Sequence, residues 1–262
     1  MAAAKGKAKR GGAGAKAGAA GRGAKADKAP SGGRDWSPRA LWRIARRWLL
    51  RAAAAWAAAV FALILLYKFV NPPTTPYIFA EWLRLGQIDR RWVPIREFSP
   101  EMARSVVASE DANFCRHWGF DLNAIRAAAE DGGRRGGSTI DQQVVKNVFL
   151  WQGHSWPRKA LEALITPVAE IFWSKRRILE LYLNLAETGP GTFGMAAAAE
   201  KAFHVAPDKI TLREAALLAT VLPDPQRRDA AKPRAFMRSR ALAVEDGART
   251  IAADGRAKCF LH

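Results

Sequence analysis

The most prominent hydrophobic pattern in the chain is one long apolar segment near the N-terminus. Residues 52–67 contain no charged side chain, and residues 48–70 are long enough to cross a bilayer if Arg51 and Lys68 extend to the headgroups. A cleaved signal peptide and a buried core helix are the alternatives. The segment is long for a signal peptide and its flank is basic. We therefore predict a juxtamembrane segment and an uncleaved transmembrane anchor over residues 39–70.

The flank before this anchor is strongly basic. Residues 1–51 hold 14 of the 42 Lys and Arg residues but two of the 24 Asp and Glu residues, in a chain of net charge +18. Residues 1–38 are mostly Ala, Gly, Lys and Arg, which predicts a disordered tail. A basic tail is also typical of nucleic-acid-binding proteins. Next to an apolar span it instead indicates a cytoplasmic N-terminus with the following domain across the membrane, and we expect no nucleic-acid partner.

Helical patterns dominate the chain beyond the anchor. The proline-rich residues 71–76 predict a stiff linker, and residues 77–230 predict one globular domain. Strand patterns are sparse, and residues 92–95 are the best short candidate. Residues 231–262 predict a helical tail. The sequence therefore favours a mainly α protein preceded by one transmembrane helix.

The two cysteines, Cys115 and Cys259, are too few for a disulfide scaffold and lack the spacing of a metal site. One bridge between them becomes possible if the domain lies outside the cytoplasm. The sequence leaves open whether the two thiols meet.

A candidate catalytic carboxylate, Glu110, continues the apolar stripe of the helix predicted from Pro100. Burial on that face would raise the pKa of Glu110 towards that of a useful general base, and Asp111 would position or tune it. Phe114 and His117 each follow about one further turn along the chain. The alternative is a helix end with two solvated acids, which is the commoner arrangement for an isolated Glu-Asp pair. The stripe residues are Met102, Ala103, Val106 and Val107.

A second candidate segment, residues 136–147, begins with two glycines and continues as a helix. Ser138 is predicted to cap this helix, and free backbone amides at such a helix start can bind an anion. Thr139, Gln143 and Lys146 would form its polar face. The alternative is an ordinary amphipathic helix with a good cap. No Gly-Lys-Ser or Gly-Lys-Thr follows the glycines, so the segment is not a P-loop.

These segments and three more resemble, in order, the motifs of the peptidoglycan glycosyltransferases. Asp141 departs from the small hydroxyl residue usual in the family, and Ala202 replaces a frequent tyrosine. No Ser-x-x-Lys or Lys-Thr-Gly of a transpeptidase occurs, so the similarity is to the monofunctional members. The matching segments are Glu110–Asp121 (E-D-x-x-F-x-x-H-x-G), Gly136–Asn147 (G-G-S-T-x-x-Q-Q-x-x-K-N), Arg158–Glu162 (R-K-x-x-E), Arg177–Asn184 (R-I-L-E-x-Y-x-N) and Gly194–Phe203 (the alanine-rich segment).

The resemblance implies a lysozyme-like helical lobe, a smaller membrane-apposed lobe and polymerisation of lipid II. It implies that Glu110 is the general base, that Glu162 assists the leaving side, and that Lys146 and Arg158 hold the pyrophosphate. No cofactor is required; a divalent cation, Mg or Mn, on the pyrophosphate is compatible, but the sequence shows no metal site. The residues expected to bind substrate are Asp111, Phe114, His117, Ser138, Thr139, Gln143, Lys146, Asn147 and Arg158.

The same resemblance places the protein in the bacterial inner membrane with its catalytic domain in the periplasm. Expected partners are lipid II, the growing glycan strand, and other cell-wall synthesis or division proteins. A lytic, strand-cleaving enzyme and an inactive membrane scaffold are the alternatives. Arg158 and Glu162, four residues apart on a predicted helix, would be an ordinary surface ion pair if the resemblance were misleading.

Overall fold

The computed structural model describes residues 37–132, 136–153 and 155–261. Apart from residues 37 and 38, the predicted disordered tail 1–38 lies outside the described residues. The helices are α1 (Pro38–Tyr67), α2 (Pro76–Leu85), α3 (Pro100–Glu110), α4 (Leu122–Glu130), α5 (Ile140–Phe149), α6 (Trp156–Phe172), α7 (Lys175–Leu185), α8 (Met195–Phe203), α9 (Leu212–Ala219), α10 (Ala235–Ala253) and α11 (Lys258–Leu261). The prediction of a mainly α fold is confirmed.

The contacts divide the chain into two units, residues 1–50 and residues 51–262. In the first unit, the described part is the beginning of α1, where the Arg46 guanidinium lies 5.3 Å from the centre of the Trp42 ring. The whole of α1 has 30 residues, with a mean hydropathy of 2.2 in its most apolar window. By length and composition α1 is therefore able to cross a membrane, as the sequence predicted.

Within the second unit, the last turns of α1 are tied to the end of α6. The indole Nε1 of Trp173 donates a hydrogen bond of 2.7 Å to the carbonyl of Ile64, and the rings of Phe61 and Phe172 meet edge to face at 5.5 Å. A buried donor satisfied by a helix carbonyl fixes both elements. The membrane-proximal part of the anchor is thus joined to the globular domain by packing as well as by the linker.

Two groups of helices form the core around the site. α3 packs against α9 and α10, whereas α5 packs against α6 and α7. Residues 231–262, predicted as a tail, therefore belong to this core: α10 covers α3, and Phe260 in α11 is fully buried. A disulfide between Cys115 and Cys259, with Cα atoms 6.0 Å apart, joins α11 to the segment after α3.

A small sheet closes one end of the domain. The strands are β1 (Asp89–Arg90), β2 (Glu187–Gly189) and β3 (Thr192–Phe193), with β3 in the middle, parallel to β1 and antiparallel to β2. Asp89 pairs with Thr192, and Glu187 pairs with Phe193.

The strand predicted at residues 92–95 is wrong. The backbone N–H and carbonyl of Val93 bond instead to the Asn184 side chain, at 2.7 and 2.8 Å, and Ile95–Glu97 form a turn of 3-10 helix. Pro94 also removes one ladder donor. The segment is extended, but a buried side-chain amide takes the place of a neighbouring strand.

Candidate active site

Glu110 is the last residue of α3 and follows the buried stripe of this helix. Its Oε2 accepts a hydrogen bond of 3.0 Å from Gln143 Nε2, and its Oε1 accepts a longer one of 3.4 Å from Ser109. Burial raises the pKa of Glu110, and this rise is only partly offset by Gln143, Arg240, Ser109 and Lys146. A carboxylate in these surroundings is a stronger base than a solvated one, as the stripe in the sequence predicted.

Gln143 is itself held in one orientation. Its Oε1 accepts a hydrogen bond of 3.2 Å from the hydroxyl of Tyr182, which is fully buried on α7. The amide oxygen is therefore taken, and the amide nitrogen faces Glu110. Tyr182 lies in the fourth motif, and sequence reasoning did not select it as a site residue.

Asp111 connects the end of α3 to the start of α5. Its two oxygens accept hydrogen bonds from the backbone N–H of Ile140, at 3.0 Å, and from His117 Nε2, at 2.9 Å. Phe114 is fully buried and packs against Phe260. In this structure Asp111 and Phe114 face protein groups, so they position the site; contact of Asp111, Phe114 or His117 with substrate stays a prediction.

The helix cap at α5 differs from the predicted one by a single residue. Thr139, not Ser138, is the N-cap, and it forms a capping box with Gln142. The predicted anion site on the free amides of this turn is not supported, because the N–H groups of Ile140 and Gln142 donate to Asp111 and Thr139. Ser138 instead accepts a hydrogen bond of 3.0 Å from Lys159.

Glu162 lies at the centre of a group of cations. Arg158 donates to Glu162 Oε2 at 2.6 Å, and Lys159 contacts Glu162 Oε1. Glu162 is 2% exposed and Arg158 is 8% exposed, so the interpretation as a surface ion pair is wrong. The Lys159 side chain is 39% exposed and reaches the surface of the group. Lys159 belongs to the third motif but was not selected from the sequence.

Lys146 interacts electrostatically with both carboxylates, Glu110 and Glu162. Burial lowers the pKa of Lys146, the negative charges of Glu162 and Glu110 raise it, and the nearby positive charges of Arg158 and Lys159 lower it. One lysine is therefore coupled electrostatically to both predicted catalytic acids. Its neighbour Asn147 is buried, and its side-chain oxygen accepts a hydrogen bond of 3.1 Å from Gln152.

Comparison with known proteins settles the family. The model of the family described as Transglycosylase matches residues 79–248. The chain belongs to this transglycosylase family. It is 56% identical to a biosynthetic peptidoglycan transglycosylase of Jannaschia sp. (strain CCS1) over 224 residues, which is 86% of this chain and 94% of that protein.

Two further relatives carry the same name. The protein of Rhodospirillum centenum is 45% identical over 226 residues, which is 82% of this chain and 96% of that protein. The protein of Caulobacter vibrioides is 40% identical over 221 residues, 83% of this chain and 96% of that protein. The recognition made from five short motifs is thus confirmed over most of the chain.

The charge of one exposed cation that no motif contains acts on the transglycosylase site. Arg240 lies on α10, in the segment predicted as a tail, yet its charge lowers the pKa of Glu110. It lies on the turn of α10 beside Ala241, which is fully buried against the rest of the core. Only the packing of α10 against α3 brings Arg240 near Glu110, and nothing in the local sequence signals this role.

Asp111, His117 and Asp141 bring possible metal ligands within 4.8 Å of one another. However, both Asp111 oxygens already accept hydrogen bonds, and the Lys175 ammonium lies 3.0 Å from Asp141. A cation at this place would meet the charge of Lys175 at short range. The donor set therefore fits an ion-pair cluster better than a metal centre.

Proposed function

We propose that this transglycosylase polymerises lipid II into linear glycan strands. The observation that carries the proposal is the pairing of an oriented, partly buried carboxylate, Glu110, with a cationic group around Glu162. The first is suited to remove a proton from a hydroxyl, and the second is suited to receive a pyrophosphate. Lys146 is coupled electrostatically to both.

In the proposed reaction the growing strand is the donor and lipid II is the acceptor. Glu110 takes the proton of the acceptor's 4-hydroxyl while that oxygen forms a bond to the anomeric carbon of the donor. The bond from this carbon to the pyrophosphate oxygen breaks, the configuration inverts, and undecaprenyl pyrophosphate leaves. Gln143 keeps the Glu110 carboxylate in place, because the Gln143 amide cannot turn without losing its hydrogen bond from the Tyr182 hydroxyl.

The departing pyrophosphate gains negative charge, which the cations would stabilise. Lys146, Lys159 and Arg158 are the proposed contacts, with Glu162 holding the two residues of its own helix in place. Ser138 is held by Lys159 and would add a hydrogen bond. A divalent ion, Mg or Mn, is compatible with the proposed pyrophosphate site but is not required, so polymerisation should continue in the presence of a chelator.

A lytic reaction is the second candidate, because a buried glutamate is also suited to act as an acid on a glycosidic bond. The cationic group disfavours it, since the leaving sugar in such a cleavage carries no phosphate. The decisive experiment uses the purified full-length protein in detergent. A ladder of polymers from labelled lipid II would support synthesis, and release of anhydro-sugars from finished glycan, without a ladder, would support lysis.

We also propose that the N-terminus is cytoplasmic and the domain periplasmic, in the bacterial inner membrane. The basic flank of α1 and the Cys115–Cys259 disulfide support this orientation, because disulfides persist in oxidising compartments. A reporter that is active only after export, fused after His262, should be active. Activity of a cytoplasm-only reporter at the same position would refute the orientation.

A further inference from the structure

A cluster of largely buried charged groups includes Asp111, the residue that follows Glu110. This acid–base cluster consists of Asp111, His117, Asp141, Glu170 and Lys175. Lys175 Nζ lies 3.0 Å from Asp141 Oδ1 and 2.9 Å from Glu170 Oε1, and the side chains of both acids are at most 5% exposed. Asp141 is a position where the chain departs from the family motif, which usually has a small hydroxyl or other residue there.

Three polar atoms of the cluster are unsatisfied. Asp141 Oδ2, Glu170 Oε2 and His117 Nδ1 are buried and have no hydrogen-bond partner among the described residues. His117 Nδ1 faces Asp141 Oδ2 at 3.9 Å. Buried polar atoms without a partner are costly, and two buried carboxylates, those of Asp141 and Glu170, share Lys175. A hydrogen shared between Glu170 and Asp141, which both contact Lys175, would remove one negative charge and give a partner to two of these atoms.

The charges around Glu170 agree with this arrangement. Burial and the neighbouring Asp141 carboxylate raise the pKa of Glu170 to about 8, while Lys175 acts in the opposite direction. Asp121 also interacts with the cluster through His117: the pKa of Asp121 is lowered first by the N–H of Ala124 and less by His117. Glu170 therefore carries its hydrogen at neutral pH and loses it above about pH 8.

The cluster leads directly to the catalytic carboxylate. Asp141 faces His117, His117 donates to Asp111, and Asp111 holds the N–H of Ile140 at the start of α5. Asp111 is also the residue that follows Glu110 and ends α3. A displacement of His117 would therefore change the position of Glu110 relative to Gln143.

We propose that Asp141 is a positioning residue for glycosyl transfer: with a hydrogen shared with Glu170, it holds His117 against Asp111 and so fixes Glu110 relative to α5. The kinetic part of this proposal rests on the proposed function. Asp141 itself touches no reacting atom. Its effect should therefore fall on kcat rather than on the KM for lipid II.

The first test compares Asp141→Asn with Asp208→Asn in the full-length protein. Asp208 is an exposed aspartate beside Lys209, so its variant removes one carboxylate from a solvated pair. We expect Asp141→Asn to lower kcat on the order of tenfold or more with little change in KM, because small displacements of a catalytic group are costly. Asp208→Asn should leave both constants unchanged. An unchanged kcat in folded Asp141→Asn would overturn the proposal.

The second test uses Glu170→Gln, whose amide does not titrate in this pH range. It also keeps the proposal testable if Asp141→Asn fails to fold. Each protein's kcat is compared with its own maximum across pH. Wild-type kcat should fall above about pH 8, whereas Glu170→Gln should keep its plateau. The same alkaline decline in both proteins would contradict the role of the shared hydrogen.

An infrared measurement separates this proposal from the proposed function, since it needs no substrate. Wild-type protein should show a protonated-carboxyl band that disappears as the pH passes about 8, and the band should be missing in Glu170→Gln. If the band is found but wild-type protein makes no polymer, the function fails and the cluster stands. If polymer forms and the band is missing in the wild-type protein, the proposed shared hydrogen is refuted and the proposed function is not.

Discussion

Gln143 Nε2 donates a hydrogen bond of 3.0 Å to Glu110 Oε2 and thereby joins α5 to the end of α3. This bond has two opposing consequences for Glu110. It holds the carboxylate in one place, and it lowers a pKa that burial raises. Tyr182 fixes the direction of the bond by donating to the other end of the amide. The site thus combines orientation with a base whose strength is adjusted by one neighbour.

Replacement of Gln143 should shift the pH dependence of polymerisation. Gln143→Ala removes a bond that lowers the pKa of Glu110, so this pKa should rise and the acid limb of kcat/KM should move to higher pH. The pH profile with lipid II checks this. Gln87→Ala, at an exposed glutamine, is the matched control and should leave the limb in place. A shift to lower pH in Gln143→Ala would contradict the assignment.

Replacement of Arg240 should shift the acid limb of the same pH profile through the loss of its charge alone. Arg240→Gln removes a positive charge that lowers the pKa of Glu110, so the limb should again move to higher pH, by less than in Gln143→Ala. The shift should shrink as salt is added, because exposed charges are screened. Arg238→Gln, on the same helix, is the control. Equal shifts in the two arginine variants would show a general charge effect rather than a specific one.

Loss of Glu162 should cost stability as well as activity. Glu162→Ala leaves Arg158 buried without its carboxylate, and breaking a buried ion pair costs roughly 3–5 kcal/mol. Glu101→Ala removes the partner of Arg104 in a more exposed pair and should cost about 0.5 kcal/mol. Denaturant unfolding of both variants measures the difference. A similar loss of unfolding free energy in the two variants would contradict the assignment of Glu162 to a buried ion pair.

The disulfide should stabilise the domain strongly, because Cys115 and Cys259 lie 144 residues apart. Restricting so long a loop in the unfolded chain contributes roughly 2–5 kcal/mol. Thermal unfolding with and without reductant should show a lower Tm on reduction. The double variant Cys115→Ser/Cys259→Ser should unfold at the lower temperature in both conditions. A wild-type Tm that does not respond to complete reduction would contradict this contribution.

The sequence predicted those features that depend on local pattern. The burial of Glu110 was predicted from the spacing of the apolar stripe of α3. The ability of α1 to cross a membrane was predicted from its length and apolar composition. The cap at α5 was misplaced because Ser138 and Thr139 are equally good caps locally, and only Gln142 decides between them. The prediction of a strand at residues 92–95 was wrong because the hydrogen-bond partner of this segment is a side chain of α7, Asn184, and not a neighbouring strand.

Features that depend on tertiary packing were beyond the sequence. The meeting of Cys115 with Cys259 requires α11 to fold back onto the segment after α3. The position of Arg240 near Glu110 requires α10 to cover α3. The burial of Arg158 and Glu162 likewise depends on α5 packing against α6, whereas spacing alone fitted a surface pair equally well.

The most direct test of the account is the rate of lipid II polymerisation by Glu110→Gln in the full-length protein. The substitution keeps the size and hydrogen bonding of the side chain but removes the base. We expect a loss of at least about a hundredfold, the usual effect of removing a general base, with lipid II binding and fold retained. Glu200→Gln, at an exposed site, should keep full activity. Near-normal polymerisation by Glu110→Gln would contradict the central claim.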